Sequence, residues 1–387
     1  MMEEDLVQEI MEEFAARTGL HPANAAGHRY LWTDAFAVCN YLRLYHHSGE
    51  ESYLHLALEL VDQVHEILGR HRDDDPRSGW ISGLDAAAGR LHPTAGGLRI
   101  GKELPERQEG EPYDERLEWE RDGQYYHYLT KWMHALCSVS RVIDNPTYTS
   151  WAAELAGRAH DAFCHTGTDG EKRLYWKMSI DLSRPLVAAM GHHDSLDGLI
   201  SCLEIRQLTR GQTGESAQAL DAEISDLADM CRGVNWTSPD PLGLGGLLSD
   251  AWRLVQLQSA NVEIPVPGLL QDMLEAAAVG LSIYTRDNSM QLPADYRLAF
   301  RELGLAIGLQ AVERIETLAA SRPDLFNSDS RLGSLMETFK NYLPLRWMIK
   351  HFWLQDENRE VPSWKDHAEI NMVMLATSLA PEGFLDL

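Results

Sequence analysis

A chain of 387 residues with 44% hydrophobic and 24% charged residues has the balance of an ordinary globular protein, neither disordered nor fibrous. Its formal net charge of −25 opposes binding to a polyanion, because nucleic-acid affinity comes largely from Lys and Arg displacing counterions at phosphates. No stretch approaches the roughly 18 uninterrupted apolar residues of a membrane span, and the start MMEEDLVQEI is acidic where a signal peptide is basic and then apolar, so a cytoplasmic location is expected.

From the N-terminus onward the apolar residues recur at helical spacing. Glu3 to Arg17 reads as a one-sided helix, and Trp32 to Tyr45 as a helix apolar around most of its circumference. In Glu51 to Leu68 the residues Leu54, Ala57, Leu58, Val61, Val64 and Leu68 form a single stripe, and Ser48 with Glu51 has capping-box spacing. The alternation continues through Gln124 to Ile143 (two-sided), Thr147 to Cys164 (one-sided, opened by Asn145 and Pro146), Asp194 to Leu208 and Ala217 to Cys231. It ends with Leu242 to Leu257, Val266 to Tyr284, Tyr296 to Ile315, Arg331 to Phe352 and His367 to Leu379. Two-sided helices belong inside and one-sided helices outside.

Links from a two-sided helix to the following one-sided helix are short, roughly three to nine residues, as between antiparallel neighbours. The return links are longer. The longest, Arg70 to Gly123, carries Trp80 and LHPTAGGLRIG, in which Leu91 to Ile100 has strand-like alternation, and is expected to hold a small β-hairpin or an irregular lid. Thr166 to His192 is a second candidate roof. The expected fold is therefore all-α, about six antiparallel hairpins closed into an (α/α)6 barrel as one domain over residues 1–387, with the long links beside the inner N-termini. The five cysteines lie far apart without CxxC spacing and read as reduced and buried.

This alternation of inner and outer helices, with aromatic and acidic residues at the inner starts, resembles the six-hairpin glycosidase superfamily, which includes the unsaturated glucuronyl hydrolases and the N-acylglucosamine 2-epimerase family. The resemblance implies a carbohydrate substrate at the loop-rich end and no nucleotide cofactor. The glycine runs GGLRIGK and LGLGGLLSD lack the spacing or the preceding strand of a phosphate cradle, and no GxSxG elbow occurs.

The inner-helix starts supply the candidate chemistry: Trp32 and Asp34; Asp122, Gln124, His127 and Lys131; His192, His193, Asp194 and Asp197; Asp250; Tyr296 and Arg297; His367, Glu369 and Asn371. In GHHDSLDGLI two carboxylates and two imidazoles fall within one turn, where repulsion and burial push pKa values apart. Asp194 and Asp197 are thus the leading acid–base pair, with Asp34, Asp122 and Asp181 behind them. His127, Lys131, His192, His193 and Arg184 are read as binding hydroxyls or an acidic sugar group, alongside Tyr296, Arg297 and Glu369. Trp32 and Trp176 are candidates to stack on sugar faces, whereas Trp132, Trp252 and Trp347 fall mid-helix and read as core.

His193 and Asp197 stand one turn apart and can both bind zinc, but no third donor follows at recognisable spacing, so no metal is expected. The composite reading is a carbohydrate-active enzyme, foremost a glycoside hydrolase with paired carboxylates. A sugar epimerase or isomerase is the alternative; the resemblance to the epimerase family, which uses paired histidines, singles out His367 as a base. A non-catalytic helical scaffold is the reading from a different class.

Overall fold

The computed structural model describes residues 2–22, 27–210, 215–322 and 330–387. They form two compact units, one of Thr18–Arg232 and one that joins Met1–Arg17 to Gly233–Leu387. Helix α1 (Met2–Arg17) belongs to the latter.

In Thr18–Arg232 three hairpins succeed one another: α2 (Leu31–Ser48) with α3 (Glu51–Leu68), then α6 (Tyr126–Ile143) with α7 (Pro146–Phe163), then α8 (Asp194–Thr209) with α9 (Glu215–Cys231). The insertion after α3 contains the short helices α4 (Ala86–Leu91) and α5 (Glu115–Glu120). Helix α6 packs between α2 and α8, which makes these three the inner layer of the unit. Their composition follows from that position. Leu31 through Leu42 are all buried in α2, whereas α3 buries Tyr53, Ala57, Leu60, Val61, Val64, His65 and Leu68, one stripe at three- and four-residue steps. Each large apolar side chain so buried contributes about 1.5–3 kcal/mol.

Local signals were partly as expected. Asn145 accepts from Thr147 N at the start of α7, with Pro146 at the position where a missing N–H costs least. The Ser48–Glu51 capping box does not form. Helix α2 runs on to Ser48, whose hydroxyl donates to Leu44 O and accepts from Glu50 N, so Glu50 stands at the cap of α3. Gly49, with φ 74°, makes the turn between the two helices.

Of the two forms expected for Arg70–Gly123, a β-hairpin or an irregular stretch, it takes the irregular one: apart from α4 and α5 it has only two isolated bridges, Arg70 to Trp80 and Leu104 to Arg121, among the described residues. Leu91–Ile100 is not a strand; side chains hold it, with Gln124 accepting from Leu98 N and donating to Gly96 O. The ladders lie in the next link. Strands β2 (Cys164–Thr166) and β3 (Lys172–Leu174) pair antiparallel, and β1 (Gln124–Tyr125), β4 (Lys177–Met178) and β5 (Pro185–Val187) form a small sheet in the order β1-β4-β5. Ion pairs bind the two links together: Arg77 reaches Asp75, Glu106 and Asp181, while Lys177 and Arg107 share Glu118.

The other unit is built from α10 (Pro241–Ser259), α11 (Leu269–Tyr284), α12 (Ala299–Ser321), α13 (Ser330–Lys340), α14 (Pro344–Leu354), α15 (Asp356–Arg359), α16 (Pro362–Lys365), α17 (Ala368–Leu379) and α18 (Glu382–Leu385). Helix α12 packs between α10 and α17, with α11 on α10, α14 on α12 and α1 on α17. The helix expected over Arg331 to Phe352 is two, because Pro344 cannot donate the hydrogen bond that would continue α13 and instead starts α14. Helices α10 and α12 meet at glycines. A Cβ on Gly245 would stand 2.1 Å from Gly304 O, and one on Gly308 would stand 2.6 Å from Gly245 O.

Among the described residues, no helix is long and apolar enough to cross a membrane. No disulfide links the five cysteines, of which Cys39, Cys137, Cys202 and Cys231 are buried and Cys164 is half-buried.

Candidate active site

Within Thr18–Arg232 the starts of α2, α6 and α8 come together. Tyr30 and Tyr128 share a hydrogen bond of 2.9 Å between their hydroxyls, which ties the start of α2 to that of α6. His127 Nδ1 lies 3.7 Å from Asp194 Oδ1, bringing α6 to α8, and Lys131 Nζ lies 2.7 Å from Asp197 Oδ1 one turn further on. Four of the residues singled out in sequence, His127, Lys131, Asp194 and Asp197, therefore form one cluster.

The two carboxylates differ in environment. Asp194 is 4% exposed, and its carboxyl is pushed up to about 8, first by burial and then by the charge of Asp197; the bond from Gly191 N and the Lys131 charge oppose this without cancelling it. Gly191 makes the arrangement possible, because a Cβ there would lie 2.4 Å from both Asp194 oxygens. Asp197 carries its charge against the Lys131 ammonium. At neutral pH one carboxyl of the pair thus holds a proton while the other is ion-paired. His127 is driven the other way: burial and the Lys131 charge lower it to about 3, so its ring is neutral, and its buried Nδ1 makes no hydrogen bond.

Beside the cluster stands an aromatic shelf. The Tyr125 ring stacks on His127 at 5.4 Å and lies 5.3 Å from Trp176, whose plane is within 15° of the His127 ring. Trp119 meets Trp176 edge-on at 4.9 Å and is exposed. Lys102 lies over the Tyr30 ring. Tyr30, Tyr125, Tyr128 and Lys102 were not singled out in sequence, although the run QYYHY at the head of an inner helix was a signal that could have found the tyrosines.

The remaining candidates of this unit have other duties. Asp122 is fully buried: Oδ1 accepts from Gly101 N and Gly123 N, and Oδ2 from Arg99 and Arg72, which leaves neither oxygen for chemistry. It anchors the insertion, and Asp122→Ala is expected to lower the unfolding free energy by about 3–5 kcal/mol, because two arginines then lose a buried partner. Urea unfolding followed by circular dichroism measures this, and a change below about 1 kcal/mol would refute the anchoring role. Asp34 accepts from Tyr30 N at 2.9 Å and faces Arg29, capping α2. Trp32 is buried on Phe36. Asp181 is held by Arg77, Ser179 and Ser183 in the β4–β5 turn, where Leu182 adopts φ 60°; Arg184 donates to Arg107 O. Trp80 is buried under Arg70. His192 is exposed and His193 half-buried, their rings 4.8 Å apart.

In the other unit the candidates are dispersed in role. Arg297 forks onto Glu302 with contacts of 2.8 and 2.6 Å, Glu302 also accepts from Trp353 Nε1, and the buried guanidinium lies over the half-buried Phe352, so these groups serve packing. Tyr296 is 75% exposed. His367 is exposed against the edge of Phe300, while Glu369 is half-buried and Asn371 accepts from Phe300 N. Asp250 lies mid-helix and bonds Arg253 rather than marking a helix start. Of the tryptophans read as core, Trp132 is fully buried, Trp252 is half-buried and bonds Asp386, and Trp347 is 52% exposed.

In sequence, the chain matches no family model and no curated protein. In structure it is similar to a GH76 α-mannanase of Bacteroides thetaiotaomicron, with a TM-score of 0.54 and 9% identity, over 98% of this chain and 97% of that one. A family 76 glycoside hydrolase from a bovine Bacteroides thetaiotaomicron strain gives a TM-score of 0.56 and 11% identity over 100% of this chain and 78% of that one. Cellobiose 2-epimerase from Spirochaeta thermophila gives 0.50 and 12%, over 97% and 98%. These likenesses show the fold alone, a six-hairpin (α/α)6 class with small β elements.

Proposed function

We propose that this protein is a carbohydrate-active enzyme and, within that class, a glycoside hydrolase. The observation that carries the reading is a carboxyl held protonated, Asp194, three residues from a carboxylate held charged, Asp197, at the start of one inner helix. Such a pair divides the labour of glycoside cleavage. Asp194 gives its proton to the glycosidic oxygen as the bond to the anomeric carbon breaks. Asp197 either attacks that carbon or takes a proton from the attacking water, and the anomeric form of the first product distinguishes retention from inversion. Lys131 pairs with Asp197 at 2.7 Å. Trp176, half-buried and backed by the buried Tyr125, offers a flat face to a sugar ring, and His127 and Lys102 offer polar contacts at its edge.

The similarity to α-mannanase makes α-mannan and aryl α-mannosides the first substrates to test. Release of reducing ends supports the reading; no turnover across α- and β-linked aryl glycosides and oligosaccharides counts against it. Trp176→Ala is expected to raise KM about fivefold with kcat within about twofold, the size of one ring stacking contact of ~1 kcal/mol. A fall in kcat alone would contradict the stacking role.

One observation favours epimerisation as a second reading. His127 is a neutral imidazole whose Nδ1 has no hydrogen-bond partner and stands 3.7 Å from Asp194, an imidazole and a carboxyl in reach of each other. Incubation with free aldoses and reducing disaccharides separates the two: a C2 epimer without new reducing ends identifies the second.

A further inference from the structure

Away from the acid pair, His160, Cys164 and Asp226 place one donor atom each within 4.8 Å of one another. His160 and Cys164 are one turn apart at the end of α7, where Cys164 N donates to His160 O. Cys164 is also the first residue of β2, paired with Leu174, so a helix end and a hairpin fix its backbone together. Asp226 comes from α9, which packs on α7, and His160 Nε2 lies 3.1 Å from Asp226 Oδ2. All three side chains are half-buried. We propose that His160, Cys164 and Asp226 form a zinc site with three protein ligands and one position open to water.

Three arguments carry it. Imidazole, thiolate and carboxylate suit borderline zinc and disfavour magnesium and calcium, which take oxygen ligands. Ligands on one tetrahedral zinc stand roughly 3.3–3.7 Å apart at ordinary bond lengths, so the His160–Asp226 pair at 3.1 Å is already at that scale, and the sulfur, within 4.8 Å of both partners, has at most about 1 Å to close. The place also holds a cation already: Lys172 rests its ammonium on Asp226. Zinc entry requires the Cys164 thiol to lose its proton to solvent and Lys172, the solvent-facing partner of the half-buried Asp226, to swing away. His160 binds neutral. Sequence spacing hid the site, since one donor comes from a different helix.

The test uses the full chain, stripped of metal by a chelator and titrated with cobalt(II) and zinc. A thiolate-to-cobalt charge-transfer band and tetrahedral visible bands are expected at one metal per chain, competed away by zinc. Cys164→Ser should lose the charge-transfer band and weaken zinc binding at least about tenfold. Lys172→Ala removes only a competitor and should tighten binding several-fold. Affinity should rise about tenfold per pH unit near neutrality as the thiol proton is released. Absence of the band in the unmodified chain, its persistence in Cys164→Ser, or weaker binding by Lys172→Ala overturns the proposal. None of these readouts involves sugar turnover.

Discussion

Asp194→Asn is expected to reduce kcat on a glycoside by about 10²- to 10⁴-fold, the usual contribution of a positioned general acid. Asparagine preserves the volume and can still accept from Gly191 N, so substrate binding should change little. The pH dependence adds a signature that a merely structural residue would not give. The acid form of Asp194 persists below about 8, so the alkaline limb of the rate profile should fall through that value. A substrate with a leaving group of low pKa, which needs little protonation, should recover much of the loss. Full activity of Asp194→Asn on an unactivated glycoside, or an alkaline limb unchanged by the substitution, would remove Asp194 from the mechanism.

The same substitution should stabilise the fold, and this second expectation runs against the usual effect of altering a buried residue. In the unfolded chain an aspartate ionises near 3.9, whereas in the folded chain Asp194 keeps its proton up to about 8. Below about 4 both states are protonated and the residue is neutral to stability. Between about 4 and 8 the unfolded state alone gains by ionising, so stability falls steadily with rising pH. Above about 8 the penalty is complete. A shift of this size corresponds to roughly 5 kcal/mol; the amide of Asn needs a partner of its own, so about 2–4 kcal/mol is the expected gain at pH 8. Urea unfolding of the two proteins at pH 4.5 and pH 8 measures the difference; at the lower pH the penalty is only about 1 kcal/mol, so the gain should be lost or slightly reversed there. An Asp194→Asn protein less stable than its parent at pH 8 would show that burial does not penalise the carboxylate. Such a trade of stability for a primed group is common where chemistry is done.

The helices were largely legible because the two periodicities report directly on burial. The stripe in Glu51–Leu68 located α3 to the residue, and the apolar circumference of Trp32–Tyr45 marked as inner the helix whose residues are buried without a break from Leu31 to Leu42. Where a local rule competed with chain context, context won. Pro344 split one expected helix into two, and Leu91–Ile100, alternating like a strand, is held by Gln124 from outside. His127, Lys131, Asp194 and Asp197 were legible as candidates because helix starts are readable. That Asp122 and Asp34 are engaged was not, since the arginines holding Asp122 lie 23 and 50 residues away. The tyrosine shelf was passed over for a related reason: an aromatic run at a helix head reads equally as core.

The glycine seam between α10 and α12 bears on how this chain can change over time. With carbonyl oxygens standing where side chains would begin, only one alignment of the two helices sets Gly245 against Gly304 and Gly308, so the seam acts as a key cut for one lock. Sliding by a single residue would press Leu244 or Leu305 into backbone. A lineage that acquired even a methyl group at residue 245 would have to re-space both rods together, and those three positions should therefore be among the slowest in the protein to accept a different residue.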